Sequence, residues 1–288
     1  MKEMHSRYIE SSSNQRGISQ LNRKRLLLLH RDLQGPFTVD AAMQRWDTDR
    51  SETQRLLAHL AAQGWLVRIR RGIYATVPLD AAQPDQWRLE PWVVATKVFM
   101  PCYIGGWSAC EHWALTEQLF RSVVVVTAAT NLRERHAEIQ GTEYVLKTVS
   151  AEKLFGTRVV WLSEQQILVS DPSRTLIDIL DDPALGGGIV QVANVLATYF
   201  AEPLRDDLLL LTYAQQLGNK TVYKRLGYLI EILGINAPDL LSACHERMSS
   251  GYSLLDPAAP QKGVRRRRWN LQINVTLPGQ QATEGLPS

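Results

Sequence analysis

The sequence predicts an α+β chain in two parts: three short helices closed by a β-hairpin, then a larger mixed α+β domain. Three observations carry this reading. Leucines recur at helical spacing between Leu21 and Leu33, and again with Ala61 over Leu56–Leu60. Residues 65–77 alternate with period two on either side of the turn dipeptide Arg71-Gly72, the pattern of a hairpin. Farther on, β-branched runs such as Val123 to Thr127 precede longer helical stretches, the order expected of an α+β domain.

A chain of 288 residues is long enough for two cores. Its boundaries read as a disordered start over 1–16, a front domain over 17–78, a linker over 79–91, a second domain over 92–276 and a loose tail over 277–288. No run reaches the roughly 18 apolar residues of a membrane span. The start is charged, carries Ser11-Ser12-Ser13-Asn14 and lacks the apolar stretch of a signal peptide. Cys102, Cys110 and Cys244 are too few and too scattered for a disulfide framework. A cytoplasmic location with no membrane contact is expected. Charge is uneven: residues 1–80 hold 13 Lys+Arg against 8 Asp+Glu, and the rest hold 19 against 21. Basic charge gathered at one end is a mark of nucleic-acid binding.

The first helix starts at Ser19, buries Leu21, Leu26, Leu27, Leu29 and Leu33, and stops at Gly35-Pro36. The second spans Val39 to Trp46 behind Thr38 as N-cap, and Asp47-Thr48 turns the chain. The third runs from Arg50 to Gln63. Asp49 and Glu52 have capping-box spacing before it, and Gly64 stands at its C′ position. Leu56, Leu57, Leu60 and Ala61 form its expected inner face, with Arg50, Ser51, Thr53, Gln54 and Arg55 outside. Trp65 to Arg70 alternates strictly, placing its arginines on one face, and Ile73 to Val77 is the return strand.

This is the layout of a winged helix-turn-helix, in which the third helix enters the major groove and the hairpin lies along the backbone. Arg50, Ser51, Thr53, Gln54 and Arg55 are the candidate readers of base edges, and Arg68, Arg70, Arg71 and Tyr74 the candidate wing contacts. The expected partner is double-stranded DNA. Palindromic sites would take two winged helices, from a dimer or from cooperating monomers. The competing reading is a winged-helix module that contacts another protein directly.

In the second domain strands are expected at Val123–Thr127, Tyr144–Val149, Val159–Leu162 and Trp269–Val275. Helices are expected at Ser108–Leu115, Pro172–Leu180, Val190–Tyr199, Asp206–Leu217 and Lys220–Leu233. Ser108 and Glu111 have capping-box spacing, and Asp171-Pro172 reads as N-cap and N1. Arg174 and Asp178 stand four apart and can pair along their helix. Gly227 inside a helix points to close helix packing. Arg265, Arg266, Arg267 and Arg268 form a second basic patch, read as a supplementary contact to the DNA backbone.

These segments resemble the AbiEi-type antitoxins. The stretch Tyr103 to Leu115, ending Glu111-His112-Trp113-Ala114-Leu115, is similar to one of their helices. Ser170-Asp171-Pro172-Ser173-Arg174-Thr175-Leu176-Ile177-Asp178 is similar to their Asp-Pro-x-Arg-Thr-Leu-x-Asp segment. Arg225-Leu226-Gly227-Tyr228-Leu229 with Glu231 resembles a third motif, and Gly72-Ile73-Tyr74 fits their wing. The resemblance spans roughly residues 20 to 275. It implies a type IV toxin–antitoxin module, whose antitoxin represses its own promoter at inverted repeats and opposes a nucleotidyltransferase-like toxin without a stable complex. Regulators with no toxin beside them belong to the same family. The motif residues themselves read as structural.

No enzyme is legible. Cys102, Cys110 and His112 lack the paired spacing of zinc sites, and Gly186-Gly187-Gly188 lacks the Gly-Lys-Ser/Thr ending of a phosphate loop and reads as a flexible turn. Glu143 and Lys147 share a strand face without compact nuclease spacing, and Asp181-Asp182 and Asp206-Asp207 read as solvated helix ends. No cofactor and no metal is expected.

Overall fold

The computed structural model describes residues 18–78 and 87–277, apart from 131, 133 and 163. The stretches expected to be a disordered start (1–16), most of the linker (79–86) and most of the tail (278–288) lie outside the described residues. The chain divides into two compact units, one ending at Leu89 and the other beginning at Glu90.

Helix caps set the front unit. Ser19 Oγ accepts the Asn22 N–H (3.3 Å) ahead of α1 (Gln20–Asp32), and Thr38 Oγ1 accepts the Ala41 N–H (3.2 Å) ahead of α2 (Val39–Trp46). Asp49 Oδ1 accepts the Glu52 N–H (2.9 Å) ahead of α3 (Arg50–Ala62), so each helix begins where a side-chain oxygen satisfies a free amide. Strands β1 (Phe37–Thr38), β2 (Leu66–Arg70) and β3 (Ile73–Thr76) pair antiparallel in the order β1-β3-β2. Leu26, Leu29, Trp46, Leu57, Leu60 and Leu66 form the core. The stripe on α1 is narrower than expected, since Leu21 and Leu27 are exposed. The alternation in β2 is also broken. A register shift between Arg68 and Arg70 leaves Arg68 opposite Tyr74 and Arg70 opposite Ile73, so the two arginines face opposite sides of the hairpin.

The second unit is built on a six-stranded mixed sheet. Its strands are β4 (Cys102–Ile104), β5 (Val123–Thr127), β6 (His136–Ile139), β7 (Thr142–Thr148), β8 (Thr157–Leu162) and β9 (Gln165–Ser170), in the order β6-β7-β5-β4-β9-β8. The four valines of β5 are buried on both faces, as its unbroken apolar run requires. Two helices, α4 (Pro91–Val98) and α5 (Gly106–His112), accompany the sheet. A helical section follows: α6 (Pro172–Asp181), α7 (Ile189–Ala201), α8 (Asp207–Leu217), α9 (Thr221–Ile232) and α10 (Pro238–Arg247). A small sheet of β10 (Ser253–Leu254), β11 (Val264–Arg266) and β12 (Leu271–Ile273), in the order β10-β12-β11, closes the unit.

Helix α6 is buried from Pro172 to Leu180. Its Arg174–Asp178 pair is therefore internal, with Nε to Oδ1 at 2.9 Å. Tyr103 from β4 donates to Asp178 Oδ2 (2.9 Å), Arg174 reaches Tyr103 Oη (3.0 Å) and Lys153 O (3.1 Å), and Phe155 stacks on the guanidinium. On α9 the guanidinium of Arg225 donates to four backbone oxygens, those of Leu180, Asp181, Leu254 and Leu255, which ties α6 to the small sheet. What packs on Gly227 is an indole and not a helix: a Cβ there would lie 2.1 Å from a ring carbon of Trp269.

Two local expectations fail. Ser108 does not cap α5, because the helix begins earlier, behind Gly105. Gly106 takes φ +53°, with no room for a Cβ against Leu185 O. Ser108 Oγ instead accepts the Val124 N–H (3.0 Å). Trp269 is not in a strand but in a 3-10 turn, its ring buried and only Leu271–Ile273 extended.

Candidate nucleic-acid interface

The capped start of α3 presents Arg50, Ser51, Gln54 and Arg55 to solvent. Thr53 is a correction. It is 0% exposed, its hydroxyl donates to Asp49 O (2.8 Å) and lies 2.8 Å from Thr48 Oγ1, and it shares the buried stripe with Leu57 and Leu60. The spacing 53, 57, 60 is i, i+4, i+7, so helical geometry could have placed it inside. Leu56 and Ala61, expected in the core, are only partly buried.

Arg68, Arg70 and Arg71 are exposed on the hairpin. Tyr74 is the second correction. It is 6% exposed and stands between Phe37 and Arg68 in register, and it belongs to the core because β1 extends the hairpin into a three-stranded sheet. The two-residue strand β1 is too short to announce itself in sequence.

A cleft of about 700 Å³ runs between the start of α2, the outer face of α3 and the wing. Arg50 and Gln54 line it from α3, Arg68 and Arg71 from the hairpin, and Tyr74 forms part of its surface. Ser51, Arg55 and Arg70 lie outside its lining. The Val39 N–H donates to Gly72 O (3.2 Å), which fixes the turn of the wing to α2. Gly72 has φ +80°, a left-handed value that favours glycine at this turn. One residue that the sequence did not single out also lines the cleft: Asp40, whose carboxylate pairs with Arg50. The capping-box Glu52 is engaged elsewhere, by Arg25 at 2.8 Å. Guanidinium groups facing across a solvent-filled cleft suit phosphates and guanine edges, where planar forks bind two oxygens or an oxygen and a nitrogen at once.

In the second unit Arg265 to Arg268 are all exposed. Arg265 lies over the Tyr252 ring (5.1 Å), and Arg268 Nε is 2.8 Å from Glu231 Oε2, which also accepts the Trp269 indole N–H. Arg266 and Arg267 have no acidic partner within ion-pair distance among the described residues.

The residues considered for catalysis do not converge. Lys147 Nζ is 2.9 Å from Asp182 and 3.7 Å from Asp181, while Glu143 pairs with His136. Thus Asp181 and Asp182 are ion-paired, whereas Asp206 caps α8 by accepting the Leu209 N–H. Burial pushes the thiols of Cys102, Cys110 and Cys244 up to about 12, which makes them poor nucleophiles. Among the described residues no group of three His, Cys, Asp or Glu is placed to hold a metal, and no helix is long and apolar enough to cross a membrane. Gly186 to Gly188 form the end of a 3-10 turn and the entry to α7, where the Ile189 N–H is held by Asp256 (2.9 Å).

The fold is similar to the crystal structure of the RV2827C protein from Mycobacterium tuberculosis, with a TM-score of 0.59 and 17% identity over 88% of this chain and 92% of that one. At that identity the likeness is one of fold. No curated protein matches the chain in sequence. Residues 24–77, from within α1 to the end of the wing, match the family described as "Transcriptional regulator, AbiEi antitoxin".

Proposed function

We propose that the chain is a DNA-binding transcriptional regulator that reads duplex DNA with α3 and grips its backbone with the wing. The observation that carries this is the cleft, where Arg50 and Gln54 of a capped helix face Arg68 and Arg71 of a hairpin whose turn is hydrogen-bonded to α2. The family match over the same residues supports it. In this reading the protein is an antitoxin that represses its own promoter at inverted repeats, as a dimer or as cooperating monomers. It counters a nucleotidyltransferase-like toxin without holding it in a stable complex. Arg265 to Arg268 add backbone contacts.

A gel-shift titration against the gene's own upstream region, with a scrambled duplex of equal length and two salt concentrations, tests the proposal. Selective and salt-sensitive shifting is the expected result. A folded protein that shifts neither duplex at low salt would overturn it, and would direct the search to a protein partner for the same surface.

A further inference from the structure

One carboxylate stands among the arginines of the cleft. Asp40 is the second residue of α2, and its side chain pairs with Arg50 at the first position of α3. Its structural role is small, that of an acid in the first turn of α2 near the positive end of the helix. Thr38, not Asp40, caps α2, and the pair is exposed on both sides, 60% for Arg50 and 55% for Asp40. Ion pairs that open to water add little to stability. On a surface that must hold a polyanion, an acid also weakens every phosphate contact near it.

We propose that Asp40 is a specificity-determining residue of the DNA face, acting through Arg50; this rests on the DNA-binding reading above. An unpaired arginine at the start of α3 reaches for whichever phosphate is nearest and binds all sequences alike. Tied to Asp40, the Arg50 guanidinium has part of its fork occupied and its remaining N–H groups held in one direction, the condition for bidentate contact with a guanine edge. Arg68 and Arg71, on the opposite wall, have no acidic partner within ion-pair distance among the described residues and serve the phosphates. The cleft then divides its labour. The wing supplies sequence-independent affinity, and the Asp40–Arg50 pair suppresses such affinity on α3.

The test is equilibrium binding of the full chain to its upstream duplex and to a random duplex across a salt series, for wild type, Asp40→Asn, Arg50→Gln and the double variant. Asp40→Asn is expected to tighten the random duplex about threefold to tenfold, steepen its salt slope by about one ion, and narrow the upstream-to-random ratio. In the Arg50→Gln background the same change should leave that ratio unaltered. Thermal midpoints report that the variants fold. Unchanged random-duplex affinity in a folded Asp40→Asn protein, or the same change in ratio without Arg50, would overturn the role of Asp40 while leaving the DNA-binding reading intact. Failure of the wild type to bind either duplex would overturn both.

Discussion

At the scale of single residues, the front unit separates side chains that are free to meet a ligand from those already committed inside the fold. Arg55 and Thr53 are two positions apart on α3, yet one is solvent-exposed and the other is buried on the same stripe as Leu57 and Leu60. The chemistry of Thr53 suits a groove contact, but its hydroxyl is already committed to Asp49 O and Thr48. Arg55→Ala should relax the choice of operator, at a cost of about 1–3 kcal/mol on the preferred duplex and little on a random one. Arg71→Ala should weaken both duplexes alike. Competition titrations check the pair, and equal effects on the two duplexes from both variants would contradict the assignment of α3 to bases and the wing to backbone.

At the scale of elements, the second unit carries its buried charges on helices packed into one core. The carboxyl of Asp178 sits fully inside, and burial pushes it up to about 6, against the opposing influence of Arg174 and Tyr103. Its ordinary value is 3.8, so between about pH 4 and pH 6 the folded state keeps a proton that the unfolded chain has released. Stability from this group therefore falls as pH rises through that window and is flat above it. Asp178→Asn has no such dependence. The cost of the substitution should be larger at pH 4 than at pH 7, and denaturant titrations of the second unit at the two values measure it. Gly227→Ala places a methyl group on the Trp269 ring and should destabilise the second unit by about 1–3 kcal/mol, with recovery when Trp269→Leu makes room. A thermal melt that leaves Gly227→Ala unchanged would mean that the indole moves aside freely.

How much of this was legible follows the same physics. The starts of helices α1, α2 and α3 are legible to within a residue because each carries its own cap in the adjoining sequence, Ser19, Thr38 and Asp49. Helix α4 is hard to read because its Ala/Asp/Gln/Pro-rich approach looks like linker, although Glu90-Pro91 is a cap and N1 pair that marks its start. Strands β1, β4 and β6 span two to four residues and have no periodicity to detect. The spacing of Arg174 and Asp178 shows that they can pair but not that the pair is internal, because Tyr103, Lys153 and Phe155, which enclose Arg174, come from distant positions. Asp40 is illegible in the sequence for a similar reason. Its partner Arg50 lies ten residues on, across a turn, and only the fold brings them together.

At the scale of the whole molecule, basic surface occurs on both units. The front cleft lies on one unit and the exposed run Arg265 to Arg268 on the other, and each phosphate neutralised adds to the salt dependence of binding. Replacing all four of these arginines with Ala should flatten the salt slope of upstream-duplex binding while leaving the preference over scrambled duplex in place. Arg268 contributes least to this, since Glu231 already holds it. An unchanged slope would remove the second unit from the DNA contact and leave its patch as a solvated edge of the small sheet.

If the front cleft holds duplex DNA, its wing arginines must set the salt dependence of binding. Duplex affinity across a salt series, for the wild type and for the folded double variant Arg68→Ala, Arg71→Ala, measures this. A steep wild-type slope, a slope shallower by about two ions in the variant, and weaker binding of every duplex tried are expected. Identical slopes and affinities for the two proteins would show that the cleft does not hold DNA.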